Sequence, residues 1–259
     1  MGKFISNFDT TAELASFSAT TGFEEPHVSL TKDTLEVHFF KDPCKSEIVK
    51  TTYELIDLGL PSGTLWANKN IGAATETDSG QYFQWGDIYG FTAGQVTGTC
   101  QSKSFDWANY KYCNGSGVES GMTKYQGTGE GKDGLVTLEA VDDAAIINMH
   151  GNWRMPTEAE FTELLNGTTN AWVTDYQGSG VNGRLFTSKA NGKTLFFPAA
   201  GNCNGRSVYD VGSYGDYWSS SLYTSNVIYG RNLDFDSGNC DMDYSNRYNG
   251  FSVRGVVGQ

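Results

Sequence analysis

Glycine is spread through this chain at 32 of 259 residues, whereas proline occurs only 5 times. A backbone so often free to adopt left-handed conformations turns sharply and often, and few prolines stiffen its loops. That balance predicts short strands joined by long surface loops, with few helices. Hydrophobic residues make up 38% and aromatics 14%, which excludes a mostly disordered chain. The length suffices for one large domain, or a main domain with an appendage.

Residues 1–50 read as a small helix-plus-hairpin module, too small to stand alone and suited to attachment or oligomerisation. Thr10-Thr11-Ala12-Glu13 fits a capping box that opens a short helix through Phe17. Leu35, Val37 and Phe39 alternate with Glu36 and His38 as in a half-buried strand, which Asp42-Pro43 ends. From Tyr53 to residue 259 the texture is that of a second domain. Asp57–Ala67 predicts strand, Pro/Ser/Gly turn and strand, and Gln81–Asp87 a short aromatic segment. Residues 90–134, rich in Gly, Ser and Thr, are expected to form a long surface insertion. Val141–Met149 predicts a short helix, and Thr157-Glu158-Ala159-Glu160 a second capping box before the apolar stripe Phe161, Leu164 and Leu165, closed by Gly167. Leu195–Pro198 predicts a buried strand and Gly201–Gly215 a loop. Tyr217-Trp218-Ser219, Leu233 with Phe235, and Phe251 with Val253 mark further strands. Two helices among many short strands is an α+β arrangement.

A formal net charge of −12 argues against nucleic acid and against an anionic membrane surface, since both select clustered Lys and Arg. Phe4-Ile5-Ser6-Asn7-Phe8-Asp9 breaks any apolar run behind Met1–Lys3, so no secretory signal is expected, and no stretch approaches the ~20 apolar residues of a membrane span. The cysteines (Cys44, Cys100, Cys113, Cys203 and Cys240) are odd in number and contain no CxxC pair, which predicts free thiols, although Cys100 and Cys113 are spaced to bridge a loop.

Six ordered segments carry a resemblance: Asp57–Ala67, Gln81–Asp87, Trp153-Arg154-Met155-Pro156-Thr157, Phe197-Pro198-Ala199-Ala200-Gly201, Tyr217-Trp218-Ser219-Ser220-Ser221 and Gly250-Phe251-Ser252-Val253-Arg254. Together they resemble the major paralogous domain of gut bacteria and their phages, over roughly 53–257. That family implies a C-type-lectin-like fold of the formylglycine-generating-enzyme subtype. The chain end resembles, more narrowly, the variable proteins of diversity-generating retroelements, in which template adenines are copied with errors. Between Asn202 and Gly250, 28 of 49 residues are Asn, Ser, Tyr or Asp, and the last lysine is Lys193. Phe4–Glu13 is similar to the start of phage structural proteins. These resemblances imply a phage receptor-binding protein at the tail tip of a virion, with a bacterial surface adhesin or structural module as the alternative. They imply a bacterial cell-surface receptor, protein or glycan, contacts with other virion proteins through residues 1–50, and a homo-oligomer such as a trimer.

Tyrosine offers large, stiff contact area at low entropy cost, and Ser, Asn and Gly add adaptable hydrogen bonding. Within about 202–250 the expected ligand-binding residues are Tyr209, Asp210, Tyr214, Asp216, Tyr223, Ile228, Tyr229, Asn232, Asp234, Asp236, Asp241, Asp243 and Tyr244. Ile228 stands out as an isolated apolar residue in a polar loop. Alternation puts Arg231 with Leu233 and Phe235. Trp153, Trp218, Phe197 and Arg254 are read as buried support.

No catalytic residue, metal ligand or cofactor is expected. An oxidase of the formylglycine-generating type needs paired reactive cysteines, and Cys203 and Cys240 lie far apart in sequence. Only His27, His38 and His150 occur, which disfavours a zinc site or a His-based triad. Asp234, Asp236, Asp241 and Asp243 are explained as well by a strand and a loop as by calcium. Gly127-Thr128-Gly129-Glu130-Gly131 lacks the following Lys-Ser/Thr of a phosphate loop.

Overall fold

The computed structural model describes residues 27–31, 34–38, 52–97 and 104–258. The chain divides into two compact units, Met1–Ile48 and Val49–Gln259. In the first, β1 (His27–Thr31) and β2 (Thr34–His38) form an antiparallel hairpin with His27 opposite His38. The helix expected from Thr10 to Phe17, and Cys44 and Cys100, lie outside the described residues. Among the described residues no helix is long and apolar enough to cross a membrane.

The second unit is mixed α+β, mostly sheet with few helices. It begins with β3 (Leu55–Asp57) and β4 (Leu65–Ala67), paired antiparallel. A tight turn joins them: Gly63 N–H donates to the Leu60 carbonyl at 2.9 Å, and Gly63 sits at φ +72°, where a side chain would be strained. Strand β5 is Tyr82–Phe83. The short helix α1 (Ala93–Thr97) follows, then α2 (Ala144–Met149) and α3 (Glu158–Gly167). A three-stranded meander comprises β6 (Thr168–Val173), β7 (Gly183–Ser188) and β8 (Thr194–Pro198). After it come β9 (Asn202–Asn204), β10 (Ser207–Tyr209), β11 (Gly215–Leu222), β12 (Tyr229–Phe235), β13 (Cys240–Asn246), β14 (Phe251–Ser252) and β15 (Val256–Val257).

The end of the second unit returns to its beginning. β15 pairs with β4, setting Val256 opposite Trp66, and β14 bridges parallel β11 to antiparallel β5. The resulting sheet runs β13-β12-β11-β14-β5 and separates two apolar cores. Trp218, Phe83, Phe251 and Trp85 lie on one side. Tyr217, Leu233 and Phe235 lie on the other, against Phe161 and Leu164 of α3.

Local chemistry explains α3. The Thr157 hydroxyl accepts from Glu160 N–H at 3.3 Å, and the Glu160 carboxylate accepts from Thr157 N–H at 2.9 Å, the reciprocal capping box. Arg154 also donates to Glu160, at 2.7 Å from Nη1 to Oε2. Burial opposes ionisation of Glu160, but Arg154 and Thr157 outweigh it and bring its carboxyl down to about 2.

Three expectations are corrected. The helix expected over Val141–Met149 is broken at Asp143, whose extended backbone ends a 3-10 turn (Ala140–Asp142) and whose carboxylate caps α2 by accepting from Ala145 and Ile146. The loop expected over Gly201–Gly215 carries the β9–β10 hairpin, because buried Cys203 is tied to Gly250 by two backbone hydrogen bonds of 2.8 and 2.9 Å. Arg254 is buried, as read from the sequence, and donates to Asn70, to the Ala67 carbonyl and to the Phe196 carbonyl.

The third correction concerns residues 90–134, whose described part is not merely a surface insertion. Val96, Phe105, Tyr110, Met122 and Tyr125 are buried. Their segment is anchored on buried Asp142, which receives Lys111 at 2.9 Å, Lys124 and the Tyr125 hydroxyl at 2.6 Å, and the Tyr112 hydroxyl. Arg247, also buried, donates to the Tyr110 hydroxyl and to the carbonyls of Lys124, Tyr125 and Val227. Burial opposes the charge on Asp142, yet these donors outweigh it and hold the carboxyl far below its ordinary value. Asp142→Ala should therefore lower stability by about 3 kcal/mol, the cost of leaving buried partners unpaired. A lower urea midpoint at unchanged slope checks this; a midpoint equal to the parent's would refute it.

Candidate functional site

Strands β11, β12 and β13 present opposite chemistries on their two faces. The register sets Asp216 opposite Asp234 and Asp234 opposite Asp241, one row across three strands. The next row on that face is Trp218, Asn232 and Asp243. Residues of the other parity, Tyr229, Arg231, Leu233 and Phe235, point toward the side of α3. There Leu233 and Phe235 enter the core, and Arg231 pairs with Glu158 of α3 at 3.1 Å.

Beyond that ion pair lies a cluster of tyrosines. Tyr223 and Tyr244 stack with centroids 4.1 Å apart and planes 3° from parallel, and Tyr229 leans on Tyr244 at 5.1 Å. The Arg231 guanidinium sits 4.7 Å from the Tyr223 ring centroid, a cation–π contact. Tyr244 remains 42% exposed, whereas Tyr223 and Tyr229 are half-buried. On the opposite face the strand lies close to the core: a Cβ on Gly230 would stand 2.7 Å from the Trp85 ring.

A third group surrounds the turn after β10. Tyr209 and Tyr214 are exposed, and Asp210 takes positive φ while its carbonyl accepts from Tyr214 N–H at 2.9 Å. Asp236 caps the β12–β13 turn, accepting from Gly238 at 2.6 Å and Asn239 at 2.8 Å. Asp241 and Asp243 are exposed and Asp234 half-buried.

Two expected contact residues are not displayed: Asn232 is 1% exposed and Asp216 7% exposed. Ile228 is half-buried like Tyr223 and Tyr229, packing against the core around Trp85 and Trp218, with Arg247 N–H tying its carbonyl inward at 3.1 Å. Sequence reasoning missed Arg247, Asn202 and Glu158. Only Arg231 left a signal, its parity with Tyr229 and Leu233. Trp218, Phe197 and Arg254 are buried, and Trp153 is half-buried edge-on to Tyr53.

The thiols of Cys203 and Cys240 belong to separate apolar clusters. Burial pushes both up, that of Cys240 to about 12. Cys113 is likewise free. Among the described residues no group of three or more His, Cys, Asp or Glu side chains is arranged to hold a metal ion.

The Asp216–Asp234 pair is electrostatically unlike the rest. Burial, then the neighbouring Asp234, pushes Asp216 well above the ordinary value of 3.8; Asp234 is also raised, by burial foremost, although it accepts from Asp216. With both values raised, the pair gives up its proton at higher pH than the unfolded chain, whose carboxyls titrate near 3.8. Raised folded values contribute stability present below that point and lost as pH climbs through them. Asp142 and Glu160, lowered, contribute the opposite slope in acid. Urea midpoints measured from about pH 4 to 8 should decline in the parent relative to Asp216→Asn and Asp234→Asn, both flatter. Parallel curves for parent and variants would exclude the shared proton.

Residues 181–256, which take in all of β7–β14 and the first residue of β15, match the family described as Domain of unknown function (DUF8237). No curated protein and no solved structure matches the chain.

Proposed function

We propose that this chain is a ligand-binding protein whose C-terminal sheet and adjoining turns meet a bacterial surface receptor, as the receptor-binding protein of a phage tail tip. The observation that carries this reading is the tyrosine cluster Tyr223, Tyr229 and Tyr244 beside Arg231. Stacked rings lose little side-chain entropy on binding, so the cluster is ordered before a partner arrives. Tyr209 and Tyr214 add exposed aromatic area from the same stretch of chain. A buried framework beneath leaves displayed side chains free to vary at small cost in stability.

The mixed α+β composition, with α3 set among short strands, supports the C-type-lectin-like fold of the formylglycine-generating-enzyme subtype. On this reading residues 1–50 attach the protein to other virion proteins, and trimerisation supplies avidity for weak single sites. The buried, protonated thiols of Cys203 and Cys240 favour binding over oxidase chemistry.

Replacing Tyr223, Tyr229 and Tyr244 together with Ala should reduce adsorption to receptor-bearing gut bacteria by roughly 30-fold or more, the loss expected of central aromatic contacts. Thermal unfolding should shift by only a few degrees. Full adsorption by the folded triple variant would defeat the reading. Diversification has its own test at the gene: a neighbouring template repeat should differ from the codons of 202–250 at adenines, and a repeat without such differences removes that part of the proposal.

A further inference from the structure

Asp216, Asp234 and Asp241 stand side by side on three neighbouring strands, with Asp243 in the adjacent row. Like charges directly opposite each other weaken a sheet. The charges acting most strongly on Asp234 are themselves acidic: Asp243 and Asp241 from β13, and Asp236 from the end of its own strand. Asp210, on the turn after β10, acts on Asp216 in the same sense. The nearby Arg184 is engaged elsewhere, donating to Asn170 and to the Asp236 carbonyl.

Apart from the hydrogen bond from Asp216 to Asp234, donors are equally scarce. The amides of Asn202 and Asn232 reach Asp216 only from 3.4 Å each. Asn232 is 1% exposed, and while its Nδ2 donates into the carboxylate row, the Oδ1 of the same amide has no hydrogen-bond partner. A buried acceptor left unmatched costs stability, and here it belongs to a side chain on the same face as the aspartate row. The face therefore has a surplus of acceptors and of negative charge together.

We infer that this face binds a guanidinium group of the ligand, with Asp234, Asp241 and Asp243 at the opening and Asp216 and Asn232 beneath. The inference rests on the ligand-binding reading above and specifies the chemistry of the partner: an arginine-bearing surface. A guanidinium supplies positive charge and a planar fork of N–H donors at once. Directly paired carboxylates on a sheet are spaced by ~5 Å, a gap that such a fork bridges. A calcium ion fits less well, since it takes roughly six to eight convergent oxygens.

The test is calorimetric titration of the full chain with acetyl-Gly-Arg-Gly-amide, its citrulline counterpart, and calcium chloride. The arginine peptide should bind, more weakly as salt rises. The neutral citrulline peptide and the double variant D241N/D243N should each weaken binding by roughly tenfold or more, with the variant's unfolding temperature retained. Equal binding of the citrulline peptide, an unaffected variant, or a response to calcium alone overturns the inference. If the arginine peptide fails while the tyrosine substitutions still abolish adsorption, the guanidinium site falls and the ligand-binding reading stands. If the peptide binds but the tyrosine variant adsorbs normally, the tyrosine-based reading falls by itself.

Discussion

Tyr217 and Trp218 leave the same strand in opposite directions, and each drives its ring into a different core. Trp218 stacks on Phe251 at 4.2 Å and donates from its indole to the Phe83 carbonyl at 2.8 Å. Tyr217 donates its hydroxyl to the Pro198 carbonyl at 2.7 Å and accepts from Asn70 at 3.1 Å. These two residues thereby join β11 to β5, to the meander and to β14. Asn70 extends the web to Arg254, whose guanidinium is fully buried and whose pKa burial brings down to about 10. Such a network tolerates little displacement, because every buried polar atom in it depends on its neighbours.

The elements legible in the sequence were those written in local chemistry. The Pro/Ser/Gly turn before Leu65, the capping box at Thr157 and the buried run Leu195–Phe197 are short-range signals, and each has its element in the structure. Long-range polar anchors left no such trace. Residues 90–134 read as surface because Gly, Ser and Thr dominate their composition, yet Asp142 and Arg247 draw their aromatics inward from positions distant in sequence. Nothing in the local pattern around Arg247 announces a guanidinium caged by three carbonyls and a tyrosine.

The candidate site shows the same division. Asp241 and Asp243 are at alternate positions, so their common face is evident from sequence. Their adjacency to Asp216 and Asp234 depends on register, which no spacing within one strand encodes. Tyr223 and Tyr244 likewise stack only because β11 and β13 flank β12. Burial was the harder property: Asn232 and Asp216 have the composition of displayed residues, yet both are buried while Asp234 on the same face is half-buried.

β13 is where variation and stability separate most cleanly. It is an edge strand, so each substitution disturbs one neighbouring strand instead of two. Cys240 and Met242 pack partly into the core shared with α3, whereas Asp241 and Asp243 point the other way and are exposed. Changing the exposed pair alters the charge of one face without opening a cavity beneath it. Tyr244 has the parity of the core residues but lies past the end of α3's cover, where stacking on Tyr223 replaces burial. The strand thus contributes carboxylates to one face and an aromatic ring to the other while its core contacts stay fixed. Exposed aspartates on an edge also discourage another chain from adding a strand there, so the charge that suits a cationic partner keeps the sheet from extending into aggregates.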